Sequence, residues 1–290
     1  MTGRLAREIS YASSARTRTG RVLIRVMENA TGRLSLIRRA AGYAEDVAQG
    51  EDFWRVMVDR YGLSLDVVGG SLDDIPARGP LILVANHPYG ILDGLIMGYL
   101  LSALRGDFRI LAHRVFRRAA ELDRVILPVN FDATPEAARE NLQARAAALD
   151  YLGRGGAIGI FPGGTVSTAA GPFGRPLDPV WRNFTARMIA KSGATVVPIF
   201  FDGANSRLFQ LASHLHFTLR MGLLIREFRQ RIDGPVRIAV GRPISADDLA
   251  AHRGDSAAMM DFLRRATYAL SPGPLPTIGY GYEFEERYRA

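Results

Sequence analysis

Apolar residues along this chain fall into short unbroken runs, separated by longer stretches in which they recur every three or four positions, and the two patterns alternate from residue 63 onward. The short runs, at 63–68, 81–85, 108–111, 125–129, 157–161, 195–201 and 236–240, are aliphatic and fenced by glycine, proline and polar residues, so they read as strands. The longer stretches, at 92–104, 135–153, 179–191 and 255–270, carry helical spacing. This alternation predicts an α/β fold, a mixed and largely parallel sheet flanked by helices. No internal repeat is evident.

The first 62 residues follow another pattern. Val22, Leu23, Val26 and Met27, then Leu34, Leu36 and Ile37, recur at helical spacing over 20–44, while Arg21, Arg25, Arg33, Arg38 and Arg39 supply the polar side. A second helical stretch spans 51–61, with Phe53 and Trp54 near its start. Two readings stay open: a basic amphipathic segment that docks on a membrane, or an ordinary helix pair packed on the core with a solvated basic face. The chain thus divides into an N-terminal basic helical segment (1–62), an α/β domain (63–271) and an exposed tail (272–290).

A net charge of +8 favours anionic partners, but Lys191 is the only lysine, and so pronounced an arginine bias reflects genome composition as readily as binding. No zinc-finger or RNA-recognition signature accompanies the charge, so nucleic acid is not an expected partner. The absence of cysteine excludes a thiol nucleophile and any cysteine-ligated metal. The longest apolar stretch, 90–104, contains Asp93 and falls short of a membrane span, and the N-terminus does not continue into a secretory core. The simplest location is cytoplasmic, peripheral to the inner face of the plasma membrane.

Candidate chemistry gathers where the strands end, the usual ligand-binding edge of an α/β sheet. Asn86-His87-Pro88-Tyr89-Gly90-Ile91-Leu92-Asp93 follows the 81–85 run directly. His87 is a candidate general base and Asp93 its orienting partner, yet six residues along a regular helix would point them apart. Pro88 and Gly90 allow a compact turn that folds the acid back; alternatively, Asp93 simply caps the helix that follows. Phe161-Pro162-Gly163-Gly164-Thr165-Val166-Ser167 leaves the 157–161 run. Its Gly163-Gly164 turn, with the Thr165 and Ser167 hydroxyls, is a candidate anion cradle or only a tight turn. Asn205, Ser206 and Arg207 form a polar loop after the 195–201 run, and Arg114, Arg117 and Arg118 a basic cluster after the 108–111 run. His214-Leu215-His216 would set two imidazoles on one strand face, but no nearby carboxylate completes a metal site and none is expected. The chain has no G-x-S-x-G elbow, H-E-x-x-H helix or P-loop.

Taken in order, the 86–93 block, the 161–167 block, the 197–201 strand with its central Pro198, and Gly241-Arg242-Pro243-Ile244 resemble the glycerolipid acyltransferases, the lysophosphatidate acyltransferases and their hemolysin-like bacterial branch. The resemblance covers 63–249. It implies transfer of a fatty acyl group from acyl-CoA or acyl-carrier protein, as co-substrate rather than bound cofactor, to the hydroxyl of a lysolipid, either lysophosphatidate-like or a lyso-aminolipid. His87 would act as base and Asp93 would orient it. Asn86, Arg117, Arg118, Gly163, Gly164, Thr165, Ser167, Asn205, Ser206 and Arg207 are the expected substrate-binding residues, an anionic membrane surface the expected partner, and no metal is implied. Two departures stand out: one extra residue between histidine and aspartate, and Gly163 where the broad family motif, F-P-E-G-T, has glutamate. The second leaves an alternative, a non-catalytic peripheral module that binds anionic lipid on the same scaffold.

Overall fold

A computed structural model of the chain describes residues 9–15, 17–113, 120–130, 134–252, 254–273, 275 and 278–283. Among these residues nine strands appear: β1 (Ser64–Gly69), β2 (Leu81–Ala85), β3 (Arg109–His113), β4 (Ile126–Val129), β5 (Ala157–Ile160), β6 (Thr168–Ala169), β7 (Pro176–Leu177), β8 (Thr195–Phe201) and β9 (Pro235–Val240). Seven of them form one sheet in the order β1-β9-β8-β2-β5-β3-β4, and β6 pairs with β7 in a separate ribbon. Every neighbouring pair in the large sheet is parallel except β8 with β9. The expected mixed, largely parallel α/β architecture is therefore the observed one.

The helices of the described residues are α1 (Arg18–Thr31), α2 (Arg33–Ala40), α3 (Tyr43–Ala48), α4 (Phe53–Arg60), α5 (Ile91–Arg105), α6 (Ala120–Val125), α7 (Pro135–Gly153), α8 (Asn183–Ser192), α9 (Arg207–Leu215), α10 (Phe217–Arg229) and α11 (Ser256–Tyr268). Side chains alternate across a strand, so β2 feeds two cores. Leu81, Leu83 and Ala85 pack with Trp54 and Val58 of α4, Leu92 and Ile96 of α5, and Phe228 of α10. Ile82 and Val84 pack on the other face with Met188 of α8 and Leu263 of α11. Parallel neighbours on both sides and helices on both faces leave β2 wholly buried, which is why its sequence is unbroken apolar.

Several elements depart from the sequence pattern for identifiable reasons. The 20–44 stretch falls in three helices rather than one, because it is broken twice, at Gly32 with φ 128°, where the missing side chain leaves room for Arg229, and at Gly42 with φ 88°. Helix α8 starts at Asn183 instead of 179, since Arg182 is extended and its N–H donates to the Pro162 carbonyl. Helices α9 and α10 occupy a stretch to which the apolar pattern assigns no element. They separate the two histidines: His214 lies in the last turn of α9, and the His216 ring accepts from the Thr218 N–H to cap α10. The tail is not free where it is described, because the Gly281 N–H donates to the Asp178 carbonyl and the Tyr282 N–H to that of Thr168.

Candidate active site

The chain leaves β2 through a non-helical turn and enters α5 at Ile91, with Gly90 at φ 90°. Asp93 stands in the first turn of that helix and its carboxylate reaches backward. Oδ2 accepts from the Tyr89 N–H at 2.8 Å and the Gly90 N–H at 3.0 Å. The same oxygen lies 2.9 Å from His87 Nδ1, a close but bent approach. The helix cap and the contact with His87 are thus one arrangement. The backbone donors and the helix N-terminus hold a negative charge against the imidazole.

Asp93 is completely buried, and burial raises its carboxyl above the ordinary carboxylate range against the opposing pull of His87 and the two amides. Among the described residues its Oδ1 has no hydrogen-bond partner. The His87 side chain is 19% exposed and stacks on Phe161 with ring centroids 4.4 Å apart, so its edge meets solvent while its face is held. With Nδ1 turned to the acid, Nε2 is left for external chemistry.

His87 opens onto a cavity of ≈ 260 Å³ walled mainly by apolar side chains, among them Trp54, Met57, Leu95 and Phe228. Gly94 also faces it, and a Cβ there would meet nothing within 4 Å. Sequence reasoning missed the N-terminal segment, whose Ile9, Ser10 and Tyr11 line the cavity. Glu28 of α1 anchors that segment, accepting from the Ser10 hydroxyl and the Tyr11 N–H, each at 2.6 Å. Burial, and then the charge of Asp93, pushes the Tyr11 phenol well above its ordinary value.

The other expected site residues are mostly engaged in structure. Asn86 clamps β2 to β8, its Nδ2 donating to the Phe201 carbonyl and its Oδ1 accepting from the Phe201 N–H. Around Gly163 and Gly164 some of the donors are used within the fold. The Gly164 N–H donates to the Phe161 carbonyl, the Ser167 N–H to the His87 carbonyl, and the Ser167 hydroxyl to Asp178. Thr165 accepts from the buried guanidinium of Arg220, which also donates to the Val166 carbonyl and to the Thr168 and Ser213 hydroxyls. Ser206 caps α9 and donates to Glu227, Arg207 donates to the Phe173 and Gly174 carbonyls, and Asn205 is buried near them. None of these last three lines the cavity beside His87. Arg114, Arg117 and Arg118 lie outside the described residues. Arg220 and Asp178 carry no local sequence signal beyond a charge set among apolar neighbours.

The chain is similar to several known proteins. A lyso-glycine lipid O-acyltransferase of Phocaeicola vulgatus is 24% identical over 202 residues, which make up 67% of this chain and 69% of that one. The Bacteroides thetaiotaomicron protein of the same name is 23% identical over 202 residues, covering 67% and 71%. The crystal structure of the 1-acyl-sn-glycerophosphate acyltransferase PlsC from Thermotoga maritima matches with a TM-score of 0.50 at 15% identity, over 88% of this chain and 97% of that one, a likeness of fold. The acyltransferase family profile matches residues 49–273, a span that holds the His87 turn, Asp93 and the whole Phe161–Ser167 loop. With the profile running from α4 past α11 and the fold in agreement, this chain belongs to the acyltransferase family.

Proposed function

We propose that the protein transfers a fatty acyl group from a thioester, acyl-CoA or acyl-carrier protein, to the hydroxyl of a lysolipid, with His87 as general base and Asp93 orienting it. The observation that carries this reading is an imidazole, backed by a buried carboxylate, at the wall of an apolar cavity. His87 Nε2 takes the acceptor hydroxyl proton as the oxygen attacks the thioester carbonyl carbon. The tetrahedral adduct then collapses, the carbon–sulfur bond breaks, and the leaving thiolate takes that proton from the imidazolium. Asp93 stabilises the imidazolium between the two steps.

A lyso-aminolipid is the favoured acceptor, in keeping with the names of the two relatives. Incubating the protein with labelled acyl donors and a panel of lyso-aminolipids and lysophospholipids, then resolving products by mass, tests this directly. The expected product is an O-acylated aminolipid; acylation of lysophosphatidate alone reverses the acceptor assignment, and no product with any pair removes the enzyme reading.

In this reading the apolar cavity takes the acyl chain and Gly94 sits on its wall. Gly94→Leu should therefore fold well, since it fills open space on a helix, and should move donor preference toward shorter chains in a mixed-donor competition. An unchanged product profile would place the chain elsewhere.

Helix α1 is proposed as the membrane contact because its amphipathic pattern is turned outward. Ile24 and Glu28 face the protein, whereas Val22 is 63% and Val26 58% exposed, with Leu23 and, on α2, Leu34 also exposed. Among the described residues no helix is long and apolar enough to cross a bilayer, so contact would be interfacial. Replacing Val22 and Val26 together by Asp should weaken sedimentation with phosphatidylglycerol vesicles roughly tenfold or more. Undiminished binding would acquit this face.

A further inference from the structure

The residue that carries the proposed base is held from both sides by one buried acid and its partner. Asp178 follows β7 and is fully buried. Its Oδ1 accepts from the His87 N–H at 3.1 Å and from the Ser167 hydroxyl, while its Oδ2 accepts from Trp181 Nε1 at 2.9 Å. Ser167 closes a ring, because its own N–H donates to the His87 carbonyl at 2.7 Å. Asp178 is itself fixed through its backbone, whose N–H donates to the Tyr268 hydroxyl and whose carbonyl accepts from Gly281 and Arg264. Three donors therefore converge on a single carboxylate that touches none of the cavity beside His87.

Gly163 is the complement of this acid. A Cβ at 163 would lie 3.3 Å from the Cβ, Cγ and Oδ2 of Asp178. Glutamate carries its carboxyl carbon roughly 2.5 Å from its own Cβ, so the carboxylate introduced by Gly163→Glu would reach the space that Asp178 fills. Two buried carboxylates there would repel, and only one has donors to satisfy it.

We propose that Asp178 is a positioning residue of the transfer reaction, the buried acid that fixes the His87 peptide against the Phe161–Ser167 loop in space that Gly163 leaves empty. Its effect on rate rests on the proposed function; its effect on the His87 backbone does not. An asparagine at 178 would turn its N–H groups either toward Trp181 Nε1 or toward the His87 N–H and the Ser167 hydroxyl, so Asp178→Asn keeps the shape, sets a donor against a donor in either orientation and weakens the grip.

The test compares Asp178→Asn, Gly163→Glu and the double variant Gly163→Glu/Asp178→Ala with the wild type. Two readouts are used: steady-state kinetics, and hydrogen exchange at the His87 amide in ¹⁵N-labelled protein. Asp178→Asn should lower kcat roughly 10²-fold, the scale of a displaced catalytic group, with the donor KM within about twofold. It should also speed His87 amide exchange about tenfold or more. Gly163→Glu should show the same pair of defects, and the double variant should recover at least about tenfold in both, because the new carboxylate inherits the donors. A wild-type kcat in folded Asp178→Asn overturns the proposal whatever the amide does, as does a double variant no better than Gly163→Glu alone. Should Asp178→Asn not fold, the swap decides. Should the wild type transfer no acyl group, the proposed function falls, and His87 exchange across the swap still decides whether Asp178 holds that peptide.

Discussion

Replacing His87 by alanine should lower kcat for acyl transfer roughly 10³-fold, the contribution expected of a positioned general base, while leaving melting temperature and vesicle binding close to wild type. The ring hangs from the end of a buried strand and touches Phe161 and Asp93, but its exposed edge carries none of the core packing. The His87 peptide, which does hold structure through Asp178 and Ser167, is unchanged by the substitution. Donor KM should change little, because the apolar wall that would hold the chain remains. Stopped product formation with retained folding is the supporting result. Undiminished turnover would remove His87 from the chemistry and require another base.

Asp93→Asn is expected to separate activity from stability. The backbone donors Tyr89 and Gly90 face the oxygen that also meets His87 Nδ1, so an asparagine is compelled to keep its carbonyl oxygen there. The histidine tautomer is thereby preserved, and the variant loses the negative charge that stabilises the imidazolium rather than the ring's orientation. A fall in kcat on the order of 10²–10³ follows from removing a buried countercharge. Stability should move the other way. Burial raises the Asp93 carboxyl, so the fold holds its proton to higher pH than the unfolded chain does. Stability from the protonated form is complete below the ordinary value of 3.8 and is lost as pH climbs through the raised one. Asparagine carries no such loss. Melting curves between about pH 4 and pH 7 should show the variant gaining on the wild type as pH rises. A variant that instead loses ground over that range would mean that pairing with protonated His87 outweighs burial, and wild-type turnover would make Asp93 a helix cap alone.

Much of the scaffold was legible because burial writes itself into composition. A strand with parallel neighbours on both edges and helices on both faces has no polar side, so 81–85 and 157–160 announce themselves and His87 is placed at a strand exit without coordinates. The proline and glycines of the 86–94 block likewise predict a turn able to return Asp93 to the ring. Less legible was the direction of amphipathic faces. Spacing in α1 distinguishes an apolar side from a charged one, but which side meets the protein is decided by what α10 offers, and Ile24 and Glu28 are chosen over Val22 and Val26. The candidate binding residues present a related case. Asn86, Ser167 and Ser206 are hydrogen-bonding side chains at strand ends, and whether such groups meet a ligand or a neighbouring backbone depends on loops far away in the chain.

The α/β class, the turn that carries His87 and Asp93, and the resemblance to acyltransferases could all be read from the chain directly, since each is written in residues close together along it. Folding in three dimensions was needed to reveal that Asp178 and Ser167 grip the His87 peptide, that Arg220 braces the glycine loop, and that Tyr11 helps wall the cavity. Those contacts join segments whose separation in sequence carries no information about their separation in space. The order of strands in the sheet sets that distance, and strand order comes from burying every face at once, which no single stretch of chain records.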